Sequence, residues 1–403
     1  MSVAAIGPGA MTPKLPARRL VGAVGLALAL GYLIVLSGAY LSGQFLIDPQ
    51  GRPIANDFVN VYAAGTLVDG GDAAAAYDWP VHKAAEISAV GHDFANYYGW
   101  HYPPLFLFVA AALATLPYLA ASLVWLVATL IAYAAGIAAI LGSRAGIALA
   151  LGFPAALWNV TAGQNGFLTA TLIGGTLGLL ERRPALAGVC LGLLTYKPQF
   201  GLLFPIVLIA DRRFLTIAVA AAVAAALGAA SWLAFGGATW AAFIDGMPAI
   251  SHAALSEGAI GWSRMQSLFG LVRMLGGGER LAWTVQAAAT LSLALALAWL
   301  WRSRAAYQLK AAALAAGALI ATPYVFTYDL AVLAVAVAFL LRFLLARGFW
   351  PSEIVGLTVA GILILAFPYV TGQVGLAAVL IVFAMAARRA LAEPVQFADA
   401  PAK

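Results

Sequence analysis

The sequence predicts an all-α, polytopic membrane protein of about twelve transmembrane helices with a long first outer loop. Three observations predict it. Of 403 residues, 64% are hydrophobic and only 9% charged, and mean hydropathy is +0.94; a water-soluble domain needs more polar surface to coat its core. Apolar runs of membrane-spanning length recur along the chain. Clusters of Lys and Arg separate many of them, as cytoplasmic loops do.

Lys14, Arg18 and Arg19 precede the first apolar run, Leu20 to Leu41. A cleaved leader has an apolar stretch of roughly 7–15 residues. This run is longer and lacks a small-x-small exit, so it is expected to remain as span 1 with its N-terminus inside. Residues 43–118 follow as the first outer loop with interfacial helices. Over 43–103 the acids Asp48, Asp57, Asp69, Asp72, Asp78, Glu86 and Asp93 outnumber the bases Arg52 and Lys83. Tyr102-Pro103-Pro104 breaks one helix and restarts another, because proline lacks an N–H and restricts its predecessor.

The stretch 104–141 must cross once to bring Arg144 inside. Residues 104–116 are therefore expected to lie in the interface, and 119–141 to span. Further spans are expected at 145–161, 165–180, 184–195, 198–210, 213–235, 281–301, 308–322, 328–346, 352–368 and 372–387, with a second outer loop, polar and Gly-rich, at 236–280. The clusters "ERRP" (181–184), "DRRF" (211–214), "WRSRAAYQLK" (301–310), "LRFLLARGFW" (341–350) and "ARRA" (387–390) are expected in the cytoplasm. Both termini then lie inside. The turns at 161–166, near 197, at 322–328 and at 368–372 lie outside. Most of the 22 Lys and Arg fall inside on this topology, and most of the 16 Asp and Glu outside. The run 184–195 is short for a bilayer about 30 Å thick. No internal repeat is evident, and residues 1–403 read as one integral membrane domain.

Some function classes are excluded. The net charge of +6 and pI near 9.5 follow from the cytoplasmic basic bias, and no basic stripe interleaved with aromatics points to nucleic acid. The single cysteine, Cys190, rules out an intramolecular disulfide or a cysteine metal cluster. No GxGxxG, GxxxxGK[ST] or zincin histidine pair is present, so a soluble nucleotide-sugar domain is excluded and any donor must come through the membrane.

Polar groups at membrane depth or at its edge are costly, so each needs a reason. In "IANDFVNVYAAG" (54–65), Asp57 is either a helix N-cap or a functional acid, and Tyr62 shares a helix face with Phe58 and Gly65. In "YYGWHYPPLFLF" (97–108), the aromatics form an interfacial belt, while His101 and Tyr102 are candidates for substrate contact. Gln164 and Asn165 of "AGQNGF" either satisfy helix ends or bond sugar hydroxyls. Lys197, at an outer span end before Pro198, either snorkels to headgroups or meets a phosphate. Asp329, near Tyr324 and Tyr328, is either a cap-region acid or a second site carboxylate. Arg264, Gln266 and Arg273 lie in the second outer loop, Arg264 as a phosphate ligand and Gln266 as a substrate ligand.

The order of "D-x-x-x-x-Y-x-x-G" from Asp57, Tyr77-Asp78, Tyr102-Pro103-Pro104, Gly163-Gln164, "LAGVCLGLLTYKPQ" (186–199) and a late Pro-Tyr turn resembles glycosyltransferase family 87 across roughly residues 18–390. The resemblance implies a C-type glycosyltransferase-like bundle with a catalytic cavity facing the periplasm or cell exterior, in the cell (inner) membrane. It implies Asp57 as catalytic base and Lys197 as ligand of the donor's lipid phosphate. Some mannosyltransferase members carry His in the late outer turn, where this chain has Tyr328 and Asp329.

The expected reaction is inverting transfer of a hexose such as mannose from a polyprenyl-phosphate sugar to a lipid or cell-surface glycan. The expected partners are that donor, the acceptor and membrane lipids, without nucleic acid. No cofactor or metal site is assigned, and no motif sets the oligomeric state. The alternatives are the same fold acting on a pentose or modified hexose, and a transporter or flippase of a lipid-linked sugar. Polar groups collected at the outer edge rather than the midplane favour transfer.

Overall fold

The computed structural model describes residues 14–258 and 261–393. Residues 1–13 and 394–403, included in the single-domain reading, and 259–260 of the second polar segment lie outside the described residues. Apart from isolated bridges among residues 45–53, the regular structure is helical. The helices are α1 Lys14–Leu41, α2 Phe58–Asp69, α3 Trp79–Val90, α4 Leu107–Ala114, α5 Tyr118–Leu141, α6 Ala145–Gly152, α7 Pro154–Ala162, α8 Gly166–Leu179 and α9 Pro184–Leu193. They continue with α10 Phe204–Ala210, α11 Phe214–Ser251, α12 Leu268–Met274, α13 Glu279–Arg302, α14 Tyr307–Ala321, α15 Ala331–Arg347, α16 Pro351–Leu365 and α17 Val374–Ala392.

Among the described residues, six helices are long and apolar enough to cross a membrane. Helices α6 and α7 make a seventh if the pair, bent by 56°, counts as one span. The bend falls where Phe153 is extended and Pro154 supplies no N–H to continue the α6 ladder. The expected twelve spans thus reduce to six or seven by length. The shorter apolar helices, of 10–17 residues, keep the expected positions. At about 1.5 Å per residue they fall short of a bilayer about 30 Å thick.

One boundary moves. The expected second outer loop began at 236, but helix resumes immediately after Gly236 and runs to Ser251. Gly236 adopts φ 81°, ψ 165°, a conformation open to glycine, and so makes a kink rather than an end.

The first polar segment is built mainly from α2, α3 and α4. Asp78 caps α3 by accepting the Val81 N–H at 3.1 Å, and Gly91 ends it in the left-handed conformation. Gly65 lets α2 and α4 cross: a Cβ there would lie 2.1 Å from the Ala110 carbonyl oxygen. Helix α15 is the hub of the bundle. Its span, Thr327–Arg347, is 89% buried, against 11% for Ala17–Leu41. Helices α5, α8, α14 and α17 pack around it, so the helix with the most fixed neighbours begins beside Asp329. At the far end of the bundle, Arg389 pairs with Glu353 at 2.5 Å and also with Glu393, fastening α17 to the start of α16.

Gly65→Ala should lower stability by about 1–3 kcal/mol through overpacking at the α2–α4 crossing. Thermal unfolding in detergent would read this, and an unchanged midpoint would mean that the two helices separate freely.

Candidate active site

Asp57 sits at the N-cap position of α2, yet its side chain makes no capping bond. Asn56 caps instead, its Oδ1 accepting the Phe58 N–H at 3.1 Å. The Asp57 backbone N–H donates to the Ala162 carbonyl at 3.0 Å, tying the start of α2 to the end of α7. Its carboxylate Oδ2 accepts from Gln164 Nε2 at 3.0 Å.

The Gln164 amide is oriented by its other end. Gln164 Oε1 accepts from the Asn165 N–H at 3.2 Å and the Tyr102 hydroxyl at 3.3 Å. That hydroxyl in turn accepts from Asn165 Nδ2 at 2.6 Å. With two donors facing Oε1, the amino group must face the carboxylate.

Asp57 opens onto a cavity of about 1040 Å³. Its walls come from separate stretches: Asp57 and Asn60, Trp79, residues 95–99 with His101, Ala162 with Gln164, Ser263 with Arg264, Tyr324 with 326–328, and 367–371. Asn60 stands one helical turn from Asp57, buried, and its Oδ1 has no protein partner. Burial pushes the Asp57 carboxyl up to about 6, against the opposing pull of the Gln164 N–H and the Arg264 and Lys197 cations. His101 lines the cavity, where the crowd of surrounding atoms holds its pKa down to about 4, so it is neutral at pH 7. Among the described residues no three His, Cys, Asp or Glu side chains come together to hold a metal.

The two cations expected at the phosphate separate. Arg264 is exposed on the cavity wall and makes no ion pair among the described residues. Lys197 is buried behind the wall and donates to Asp329 Oδ1 at 2.8 Å. Asp329 uses its other oxygen to accept the Phe326 N–H at 3.0 Å. The ammonium also lies 5.3 Å from the centroid of the Tyr328 ring, which does line the cavity. The pair therefore braces the 324–328 wall, with the Lys197 ammonium held on Asp329 rather than lining the cavity.

Of the expected site residues, Asp57, His101, Gln164, Arg264 and Tyr328 reach the cavity, and Tyr102, Asn165 and Asp329 stand behind it. Tyr62 and Gln266 are not brought there. Tyr62 donates to the Leu116 carbonyl at 2.8 Å. Gln266 is used up by the Ser263 and Gly372 carbonyls and the Gly375 N–H. Arg273 likewise serves the Ser256 and Gly277 carbonyls. Sequence reasoning missed Asn60, Tyr98, Ser263 and Thr371 as lining. Asn60 carried a signal, an i+3 spacing from Asp57. The others carry none without the fold.

A family model described as glycosyltransferase family 87 matches residues 100–323. No curated protein and no solved structure matches the chain.

Because the Asp57 pKa is raised on folding, the native state holds a proton that the unfolded chain releases, and this stabilisation is lost as pH rises through about 6. Asp57→Asn should therefore gain more in melting temperature over wild type at pH 8 than at pH 5. The reverse order would mean that the surrounding cations outweigh burial. Asp329→Ala, which leaves the Lys197 ammonium buried without its partner, should cost about 3–5 kcal/mol, and Lys197→Met with Asp329→Leu should recover part of it. Denaturation of the three variants tests this; a mild effect of Asp329→Ala would show the pair to be dispensable.

Proposed function

The chain belongs to glycosyltransferase family 87 and is a membrane glycosyltransferase, and on that premise we propose that it moves a hexose from a polyprenyl-phosphate sugar to a lipid or glycan acceptor with inversion. One observation carries the reading: an acid with its pKa raised towards neutrality and an exposed Arg264, without an ion pair among the described residues, share one cavity. A base poised near the working pH and a cation for a leaving phosphate are the two groups this chemistry needs.

In this reading the acceptor hydroxyl lies against Asp57. As its oxygen bonds to the anomeric carbon, the hydroxyl proton passes to the carboxylate. The bond from that carbon to the phosphate oxygen breaks on the opposite face, and polyprenyl phosphate leaves with the electron pair. Arg264 meets the growing charge on the phosphate, and a single displacement inverts the anomeric centre. Asn60, Gln164 and neutral His101 supply hydrogen bonds to sugar hydroxyls. Lys197 acts from behind, holding Asp329 and through it the wall at Tyr328. The basic clusters support an orientation with the cavity on the non-cytoplasmic side of a cell membrane and both termini inside. Cysteine labelling at position 57 from outside only is the expected outcome of an accessibility scan.

The deciding assay is transfer by purified protein from a panel of polyprenyl-phosphate sugars to membrane-lipid extract. Asp57→Asn should keep its fold and lose roughly 10²–10⁴-fold in kcat. Arg264→Ala should mainly weaken kcat/KM for the donor. Retained turnover in Asp57→Asn would overturn the base assignment. No transfer by wild type, with donor moved across vesicles instead, would favour a flippase.

A further inference from the structure

Behind the cavity wall lies a second carboxyl that the reaction above does not use. Glu86, on α3, has no exposed surface. Its Oε1 accepts the Tyr98 N–H at 3.1 Å, and Oε2 lies 3.6 Å from Lys83 Nζ, one turn earlier on the same helix. Lys83 Nζ also donates to the Asn96 carbonyl at 2.5 Å and sits 3.3 Å from the centre of the Phe94 ring. The segment 94–98 is thus bolted to α3 at Phe94, Asn96 and Tyr98, and its continuation carries Gly99 and His101 along the cavity.

Tyr98 makes the link to the acid. Its hydroxyl accepts from Asn96 Nδ2 at 3.2 Å and donates to the Ala55 carbonyl at 3.4 Å, two residues before Asp57. We propose that Glu86 is a positioning residue for transfer, acting through Tyr98 to fix both the 95–101 wall and the backbone that carries Asp57. The proposal rests on the reading of Asp57 as base.

The groups facing Glu86 are His82 and Lys83 from its own helix, Tyr97 and Tyr98 from the wall, Tyr118 from α5 and Asp57 from the start of α2. His82 Nε2 is 3.7 Å away, but burial keeps that imidazole to about 4, so at neutral pH it is not the counter-charge. Lys83 is. Burial pushes Glu86 up to about 7, Lys83 and the Tyr98 N–H pull it down, and Asp57 pushes it further up. Asp57, the lower of the two, is charged where Glu86 titrates, so the effect runs from Asp57 to Glu86.

The test compares wild type, Asp57→Asn, Glu86→Gln and Glu86→Ala by kcat and KM, on preparations shown to be folded by gel filtration and thermal unfolding. Glu86→Gln keeps an oxygen for the Tyr98 N–H, so it should retain most turnover. Glu86→Ala loses that acceptor and should lose roughly 10–100-fold in kcat, with less change in KM, because a small displacement of the base is costly. Wild-type kcat in a folded Glu86→Ala overturns the proposal, and so does a Glu86→Gln as impaired as Glu86→Ala. If Glu86→Ala does not fold, Tyr98→Phe, which removes the hydroxyl link to the Ala55 carbonyl, decides: a loss in kcat larger than any change in KM supports the proposal, and wild-type kcat overturns it. Activity in Asp57→Asn would instead bring down the base assignment, whereas an inactive Asp57→Asn with wild-type kcat in Glu86→Ala brings down only the role of Glu86.

Discussion

The hydrogen bond from Gln164 to Asp57 joins residues 107 apart in sequence, and the arrangement of the site depends on it. On one side lies the polar segment of α2 and α3, and on the other the turn between α7 and α8. Three further features hold the junction: the Asp57 N–H on the Ala162 carbonyl, Asn56 packed where a Cβ on Gly163 would sit, and the Tyr102–Gln164–Asn165 network. A carboxylate taken out of water keeps its charge only where N–H groups or cations reach it. Here one amide and more distant cations reach it, too few to restore an ordinary pKa.

The same economy explains the helix breaks. An apolar bundle must satisfy its polar groups internally, and at the cavity end this chain does so where helices stop short. The turns around Lys197 and Asp329 leave backbone groups free, and Asp329 takes one of them, the Phe326 N–H, while holding the ammonium. A buried pair of this kind adds little stability over an apolar replacement. What it supplies is geometry, because α15 begins there and is packed on nearly every side. The wall at Tyr324–Tyr328 is anchored to the most rigid part of the molecule.

The wall at 95–101 hangs on α3, which packs mainly on α2. One wall is therefore built on the hub and the other on a peripheral unit. Asp57 stands where they meet.

Much of the fold was legible in the chain because lipid solvent imposes a simple rule: long apolar stretches become helices, and proline or glycine between them becomes a break. The runs at 119–141 and 281–301 lie within the observed helices for this reason, and the run at 372–387 does so from Val374 on. The kink at Gly236 was not legible, since a single glycine marks a bend or an end equally well, and packing chooses. Asp57, His101, Gln164 and Arg264 were legible as polar residues too costly to be idle. The division of labour between Lys197 and Arg264 was not. Both are cations expected on the same side, and only the approach of Asp329, 132 residues away in sequence, gives Lys197 a partner, while Arg264 makes no ion pair among the described residues. Sequence alone thus determined the helical membrane class and the stock of polar groups. Tertiary structure decided which of them face the cavity, because compensation of a buried charge depends on partners brought together by folding.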